Sequence, residues 1–369
     1  MKNIRYLLGH ILSLFYKQAK MDSNFKNLQQ LLDFFKDETI CKEYYEQKRW
    51  GGTPACPHCG NAGKIYRTTR GYKCGEKTCY KKFSVISGTI FENTKIGLRV
   101  WFAAMYLIST SKKGVSSLQL AEQLGITQKT AWFVNHRIRE MLKDDNQDKF
   151  EGEVQADETW VGGKNKNRHS DKKIDADDSC SGKTPVVGLV QPNGKVRTFV
   201  VKEVNAEILH RIMGDNVQEG SVLVTDSHRG YLGLHDRYTH VSVKHDGTGY
   251  TVTIGNKKFH TNNIENFWST FKRGIIGIYH FVSAKHLNRY CNEFTYRYNN
   301  RDISGVAKFD TALLSTDNKR LTYSKLIGHL SDKQIDALAE KYTKNPPAPP
   351  VDPNSWMDDI NPDNATVIE

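Results

Sequence analysis

Val154-Gln-Ala-Asp-Glu-Thr-Trp-Val161 is the stretch at which the chain changes from helical to strand-like periodicity. Four more short apolar runs follow it, Thr184–Val190, Lys195–Val201, Ser221–Thr225 and His240–Lys244, each bounded by turn-forming residues. A helix over Asn205–Met213 separates the third run from the fourth, and Asn262–Arg273 and Ser283–Asn299 carry helical spacing after the fifth. Three strands, a helix, two further strands and then helices predict an α/β domain on a mixed sheet. The polar, basic insert Gly162–Asp178 reads as an exposed loop.

Upstream of this stretch the pattern is helical and punctuated. Apolar residues from Phe25 to Phe35 predict a helix within Asn24–Tyr45, and Ile96–Ser109 predicts another. Within Ser117–Leu142, Leu118–Leu124 and the segment opened by Thr127 read as two helices around a turn at Gly125. This is the outline of a helix-turn-helix, whose second helix can enter a major groove, and a purely structural helical pair is the alternative. Gln128, Lys129, Arg137 and Arg139 are its candidate DNA contacts.

Four of the seven cysteines fall within residues 56–79, as Cys56-Pro-His-Cys59 and Cys74-Gly-Glu-Lys-Thr-Cys79. Two such knuckles joined by a hairpin supply the tetrahedral thiolate set that Zn2+ prefers, and a closed four-ligand site is structural. Lys64, Arg67, Arg70, Lys73, Lys77, Lys81 and Lys82 offset its negative charge. Alternating cations and aromatics over Tyr66–Phe83 suit a nucleic-acid backbone. Cys41, Cys180 and Cys291 stand apart, so a disulfide scaffold is excluded and a reducing compartment expected.

The net charge is +12, and the acidic tail conceals part of the excess: residues 345–369 hold Asp352, Asp358, Asp359, Asp363 and Glu369 with no Lys or Arg. A body this basic calls for a polyanionic partner. The tail also holds six of the ten prolines and is expected to be disordered. Met1–Lys20 is apolar in patches but lacks a cleavage site and is too short to span a bilayer, and Met21 is an alternative start.

Against that background three acids draw attention. Asp157 opens the apolar half of the first strand, Asp226 ends the run Ser221-Val-Leu-Val-Thr225, and Glu265 shares a helix side with Asn262, Trp268, Ser269 and Lys272. Neighbours on a strand point to opposite faces, so only one of Asp157 and Glu158 is expected in a given site, and either is available. Asp226 is also open to a capping role, and Glu265 to a solvated helix position. Carboxylates on three separate elements of a basic protein suggest a pair of Mg2+ or Mn2+ ions, the clamp that phosphodiester chemistry needs. His228 and His260 are auxiliary candidates, with ordinary hydrogen bonding as the plainer role.

Taken together the chain resembles the IS1595 family of insertion-sequence transposases, the group with an ISXO2-like catalytic domain. Arg49-Trp-Gly-Gly-Thr-Pro-Ala-Cys-Pro-His-Cys59, Phe83-Ser-Val-Ile-Ser-Gly-Thr-Ile-Phe91, Asp157-Glu-Thr-Trp-Val-Gly-Gly-Lys164, Val224-Thr-Asp-Ser-His228 and His260-Thr-Asn-Asn-Ile-Glu-Asn-Phe-Trp-Ser-Thr-Phe-Lys-Arg273 carry the resemblance. It implies a ribonuclease-H-like catalytic domain of the retroviral integrase superfamily, preceded by a zinc ribbon and a helix-turn-helix-like region. The expected divisions are a helical segment to residue 50, the ribbon at 51–92, the helical region at 93–148, the catalytic domain at 149–305, a helical segment at 306–344 and the tail. By resemblance Asp157, Asp226 and Glu265 are the catalytic triad, Lys272 the accompanying cation and Arg273 a further DNA contact, with Glu158 outside the triad. The implied partners are terminal inverted repeats and target double-stranded DNA, bound by a homo-oligomer in the cytoplasm at the nucleoid, with no membrane. The competing readings are a domesticated, catalytically silent DNA-binding regulator and a ribonuclease of the same fold.

Overall fold

The structure, a computed structural model, describes residues 25–146, 148–163, 165–173, 180–244 and 251–328. Met1–Lys20, Met21, Lys164 and the acidic tail lie outside these residues. The chain divides into two compact units, one of residues up to 142 with 302–323, the other of residues 143–301 with those from 324 onward.

The first unit is built on aromatic packing. Asn27 caps α1 (Leu28–Phe34), and Asp37 accepts from the backbone N–H groups of Thr39 and Ile40 to open α2 (Glu38–Trp50). That second cap divides the segment expected as one helix, and buried Phe35 sits in the break. Its ring meets Phe25, Tyr44, Phe102 and Phe309 at centroid distances of 4.9–6.0 Å, mostly edge-on. Phe102 lies on α3 (Leu98–Thr110), whose N-terminal amides are received by the Glu38 carboxylate. Phe309 comes from α9 (Gly305–Leu314), so the chain returns here after completing the second unit.

Between α2 and α3 runs a three-stranded antiparallel meander, β1 (Ile65–Thr68), β2 (Gly71–Cys74) and β3 (Lys82–Phe83). Tyr72 stacks on Phe83 and Trp50 closes edge-on against both. After α3 come α4 (Ser117–Leu124) and α5 (Gln128–Met141). Gly125 between them takes a left-handed φ of 63°, and Thr127 caps α5 through its hydroxyl.

The second unit is a five-stranded mixed sheet between helices. In chain order its elements are β4 (Glu153–Val161), β5 (Thr184–Val190), β6 (Val196–Val200), α6 (Ala206–Asn216), β7 (Val222–Asp226), β8 (Thr239–Val243), a hairpin of β9 (Val252–Ile254) and β10 (Lys257–Phe259), α7 (Asn262–Gly274) and α8 (Ala284–Asn299). The sheet order is β6-β5-β4-β7-β8, with the first three strands antiparallel and β7 and β8 parallel to β4. One face packs on α7 and α8 through Ile264, Phe267, Trp268, Phe271, Leu287 and Phe294. The other packs on α6 through Leu209, Ile212 and Met213, joined by Tyr231. The β9–β10 hairpin, which short apolar runs did not signal, covers β7 and β8 with Val252, Ile254 and Phe259.

Candidate metal centres and active site

In the first unit the knuckle Cys56–Cys59 is folded back by the amide of Gly60 on the Cys56 carbonyl (2.8 Å), with Gly60 at a φ of 75°. The β1–β2 hairpin brings up Cys74, and the turn after it brings up Cys79. The four sulfurs lie within 4.8 Å of one another. Cys56 and Cys79 Sγ are 3.8 Å apart, Cys59 and Cys74 Sγ 3.6 Å. A tetrahedron with metal–sulfur bonds of about 2.3 Å has edges of about 3.8 Å, so these thiols fit a structural Zn2+. All seven ribbon cations named above are exposed, as are Tyr66 and Tyr80, over whose ring lies Lys73 Nζ.

The helix-turn-helix candidates part company. Gln128 and Lys129 are exposed at the start of α5; Gln128 donates to Ser117 Oγ and Lys129 Nζ lies over the Tyr323 ring. Arg137 and Arg139, read as groove-facing, are instead 4% and 2% exposed. The Arg137 guanidinium stacks between Trp101 and Phe133 and donates to the Glu92 carbonyl. On α5 the side bearing Val134, Ile138 and Met141 is so enclosed that these two cations are part of the core.

In the second unit the carboxylates are placed by strand register. β7 runs parallel to β4 with Val154 beside Leu223 and Gln155 beside Val224. Carried two residues further, that register sets Asp157 level with Asp226, the last residue of β7. Asp226 Oδ1 accepts from the His228 amide at 3.0 Å, and its carbonyl receives the Thr225 and Ser242 hydroxyls. His228 is further fixed by accepting from the Gly230 amide on Nδ1.

The opposite neighbour of Asp157 is Gly188 on β5, and its lack of a side chain matters. A Cβ there would stand 2.5 Å from Trp268 and 2.8 Å from Ile264, so only glycine lets α7 settle this close to the sheet. Gln155, wholly buried on β4, fixes the start of that helix: its Oε1 accepts from the Asn263 amide at 3.1 Å. Glu265 follows in the first turn, where the helix dipole favours a carboxylate, and Thr261 donates its hydroxyl to Oε1 at 2.5 Å. Lys272 and Arg273 are exposed in the last turn.

The tightest acidic set is Asp157, Glu158 and Asp226, each offering an oxygen within 4.8 Å of the others. Strand alternation led to the expectation that only one of Asp157 and Glu158 joins the site. Both belong to the acidic set, because pairing of β4 with β7 ends at Gln155, and beyond it side chains from either face of β4 reach the end of β7. Glu265 stands outside this set. Burial pushes the Asp157 carboxyl up to about 7, with the charges of Asp226 and Glu265 adding to the rise and Lys272 opposing it. Glu158 is pushed up to about 8, chiefly by burial. Such carboxyls hold their charge at neutral pH only beside a cation, and hard divalent ions take oxygen ligands of this kind. Among the described residues His260 makes a long contact with Gln155, 3.4 Å, away from the acids' own hydrogen bonds.

Gln155, Gly188 and Thr261 were not singled out by motif reasoning. Only Gln155 left a trace there, as a polar residue inside a strand whose burial should be complete.

The mixed sheet with helices on both faces is a ribonuclease-H-like domain, and its carboxylates suit metal-dependent polynucleotidyl transfer. Comparison with known families agrees. The ISXO2-like transposase domain profile matches residues 149–299, and the transposase zinc-ribbon domain profile matches residues 36–82. An uncharacterized protein in transposable element ISH50 of Halobacterium salinarum is 27% identical over 280 residues, covering 71% of this chain and 91% of its own. An uncharacterized transposase-like protein of Haemophilus influenzae is 28% identical over 110 residues, 30% of this chain and 85% of its own. The chain belongs to the IS1595 family of transposases and is a DDE-type enzyme. No helix among the described residues is long and apolar enough to cross a membrane.

Proposed function

We propose that the chain binds the terminal inverted repeats of an insertion sequence, hydrolyses the phosphodiester at each end and joins the freed 3′-hydroxyls to target DNA. The observation that carries this reading is the carboxylate set that strand register gathers at the end of β7, inside the segment that matches a transposase domain. Asp157, Asp226 and Glu265 are its metal-holding triad, for two Mg2+ or Mn2+ ions. When bound, such a pair activates the attacking water or hydroxyl and stabilises the leaving oxygen. The chain's own part is positional. Asp226 is held by the His228 amide and Glu265 by Thr261, so both carboxylates are oriented before DNA arrives. Lys272, exposed two turns along α7 from Glu265, would donate to a phosphate oxygen of the bound DNA.

Residues 149–305 are then the catalytic domain, and the ribbon (51–92) and helices (93–148) grip DNA. The ribbon's exposed cations and tyrosines support that division, with one structural Zn2+ holding it. Gln128, Lys129 and Arg273 remain candidate contacts; buried Arg137 and Arg139 do not. Two DNA ends must be brought together, which calls for a homo-oligomer acting at the nucleoid of the cytoplasm. Purified protein with inverted-repeat DNA and Mn2+ should give nicked ends and joined products. Asp226→Ala should lose both, by at least about a thousandfold for a reaction that depends on the site, and still retain end binding. Equal activity in the variant would overturn the reading and favour a silent DNA-binding protein.

A further inference from the structure

We propose that Glu158 is a direct ligand of the cation shared by Asp157 and Asp226, so that this ion is held by three carboxylates and Glu265 serves the second. The inference rests on the metal-dependent reading above and adds a residue to it. Glu158 is 7% exposed, and its Oε1 is buried with no donor in good hydrogen-bonding geometry, although the Tyr231 hydroxyl interacts with the carboxylate. A buried carboxylate oxygen left without a well-placed donor is a costly arrangement that a bound cation removes. One oxygen of the same carboxylate is in mutual reach of Asp157 and Asp226, within 4.8 Å. Glu265 is not in this set, and its Oε1 already receives the Thr261 hydroxyl.

The far side of Glu158 is apolar. Tyr231, from the turn after β7, packs with Leu209 and Met213, and its own buried hydroxyl has no partner in good hydrogen-bonding geometry. That hydroxyl is placed to donate to the ionised Glu158 carboxylate and hold it towards the metal, as an outer partner does for a metal ligand. Strand geometry explains how consecutive residues share one ion. Asp157 approaches from the α7 face and Glu158 from the α6 face, and β7 stops level with them.

Mn2+ binding to the full chain, with no DNA present, separates this role from a structural one. Glu158→Gln keeps the shape and removes the charge; it should weaken Mn2+ binding at the tighter site by at least about tenfold, as should Asp226→Asn. Tyr231→Phe should weaken it less than Glu158→Gln. If Glu158→Gln does not fold, Glu158→Asp retracts the carboxylate by one methylene and should weaken binding in the same direction. Wild-type affinity in a folded Glu158 variant, with a loss in Asp226→Asn, overturns the role of Glu158 alone. Wild-type affinity in Asp157→Asn and Asp226→Asn would instead overturn the metal-site reading beneath it.

Discussion

The two candidate metal centres of this chain are built in opposite ways. The ribbon site comes from one short segment, residues 56–79, whose knuckles and hairpin bring the sulfurs together locally. The acidic set comes from two strands far apart in the chain, Asp157 and Glu158 on β4 and Asp226 on β7, with Glu265 on α7 outside it, and nothing local relates them. Strand register aligns Asp157 with Asp226, and close packing of α7 brings Glu265 near. A centre of the first kind depends on its ion for its fold. One of the second kind depends on the domain for its geometry, and its ion is needed for chemistry.

That contrast can be broken at the ribbon with the largest expected effect. Cys74→Ser should lose the bound zinc and the amide protection of the β1–β3 meander, because structural zinc contributes on the order of 10 kcal/mol in small zinc modules. Hydrogen exchange of β4–β8 should not change. Simultaneous loss of protection in both regions would show that they do not differ as described. Next in size is Gly188→Ala, where a methyl group would press on Trp268 and Ile264. We expect it to remove about 1–3 kcal/mol of stability. Strand cleavage should fall further than stability accounts for, since α7 carries Glu265. Unchanged cleavage at reduced stability would break the link between α7 packing and the site.

A pH dependence centred on the carboxylate site is also expected. Asp157 has a folded-state value of about 7 against an ordinary 3.8, so ionisation is harder in the folded chain. Metal-free protein should therefore lose stability as pH rises from about 4 through about 7, and the loss should level off above that. Mn2+ should raise the melting temperature at pH 8 and do little at pH 5, where the carboxyl is protonated. A Mn2+ response equal at both pH values would contradict the placement of the cation at Asp157.

The same contrast governs what was legible beforehand. Cysteine spacing alone picked out the four thiols that the structure gathers in a cluster suited to zinc. The strand Thr184–Val190 was read residue for residue because its apolar run ends sharply at Gln191. Asp226 was visible because a carboxylate closing an apolar run is unusual. Alternation allowed only one of Asp157 and Glu158 and the family resemblance chose Asp157; that both reach the end of β7 depends on where β4 outruns β7, which is a tertiary fact. Arg137 and Arg139 misled because a cation on a helix usually marks its solvent face; here aromatic rings from α3 and α5 enclose Arg137. Gly188 carries no signal in one sequence, since its role is the room it leaves for another element.

The central claim is that Asp157, Asp226 and Glu265, far apart in sequence, act as one centre for cutting and joining DNA. Its most direct test is end cleavage and strand transfer by Asp157→Asn, Asp226→Asn and Glu265→Gln with inverted-repeat DNA and Mn2+. All three should fall to background while binding the ends as wild type does. Near wild-type joining by any one of them would contradict the claim.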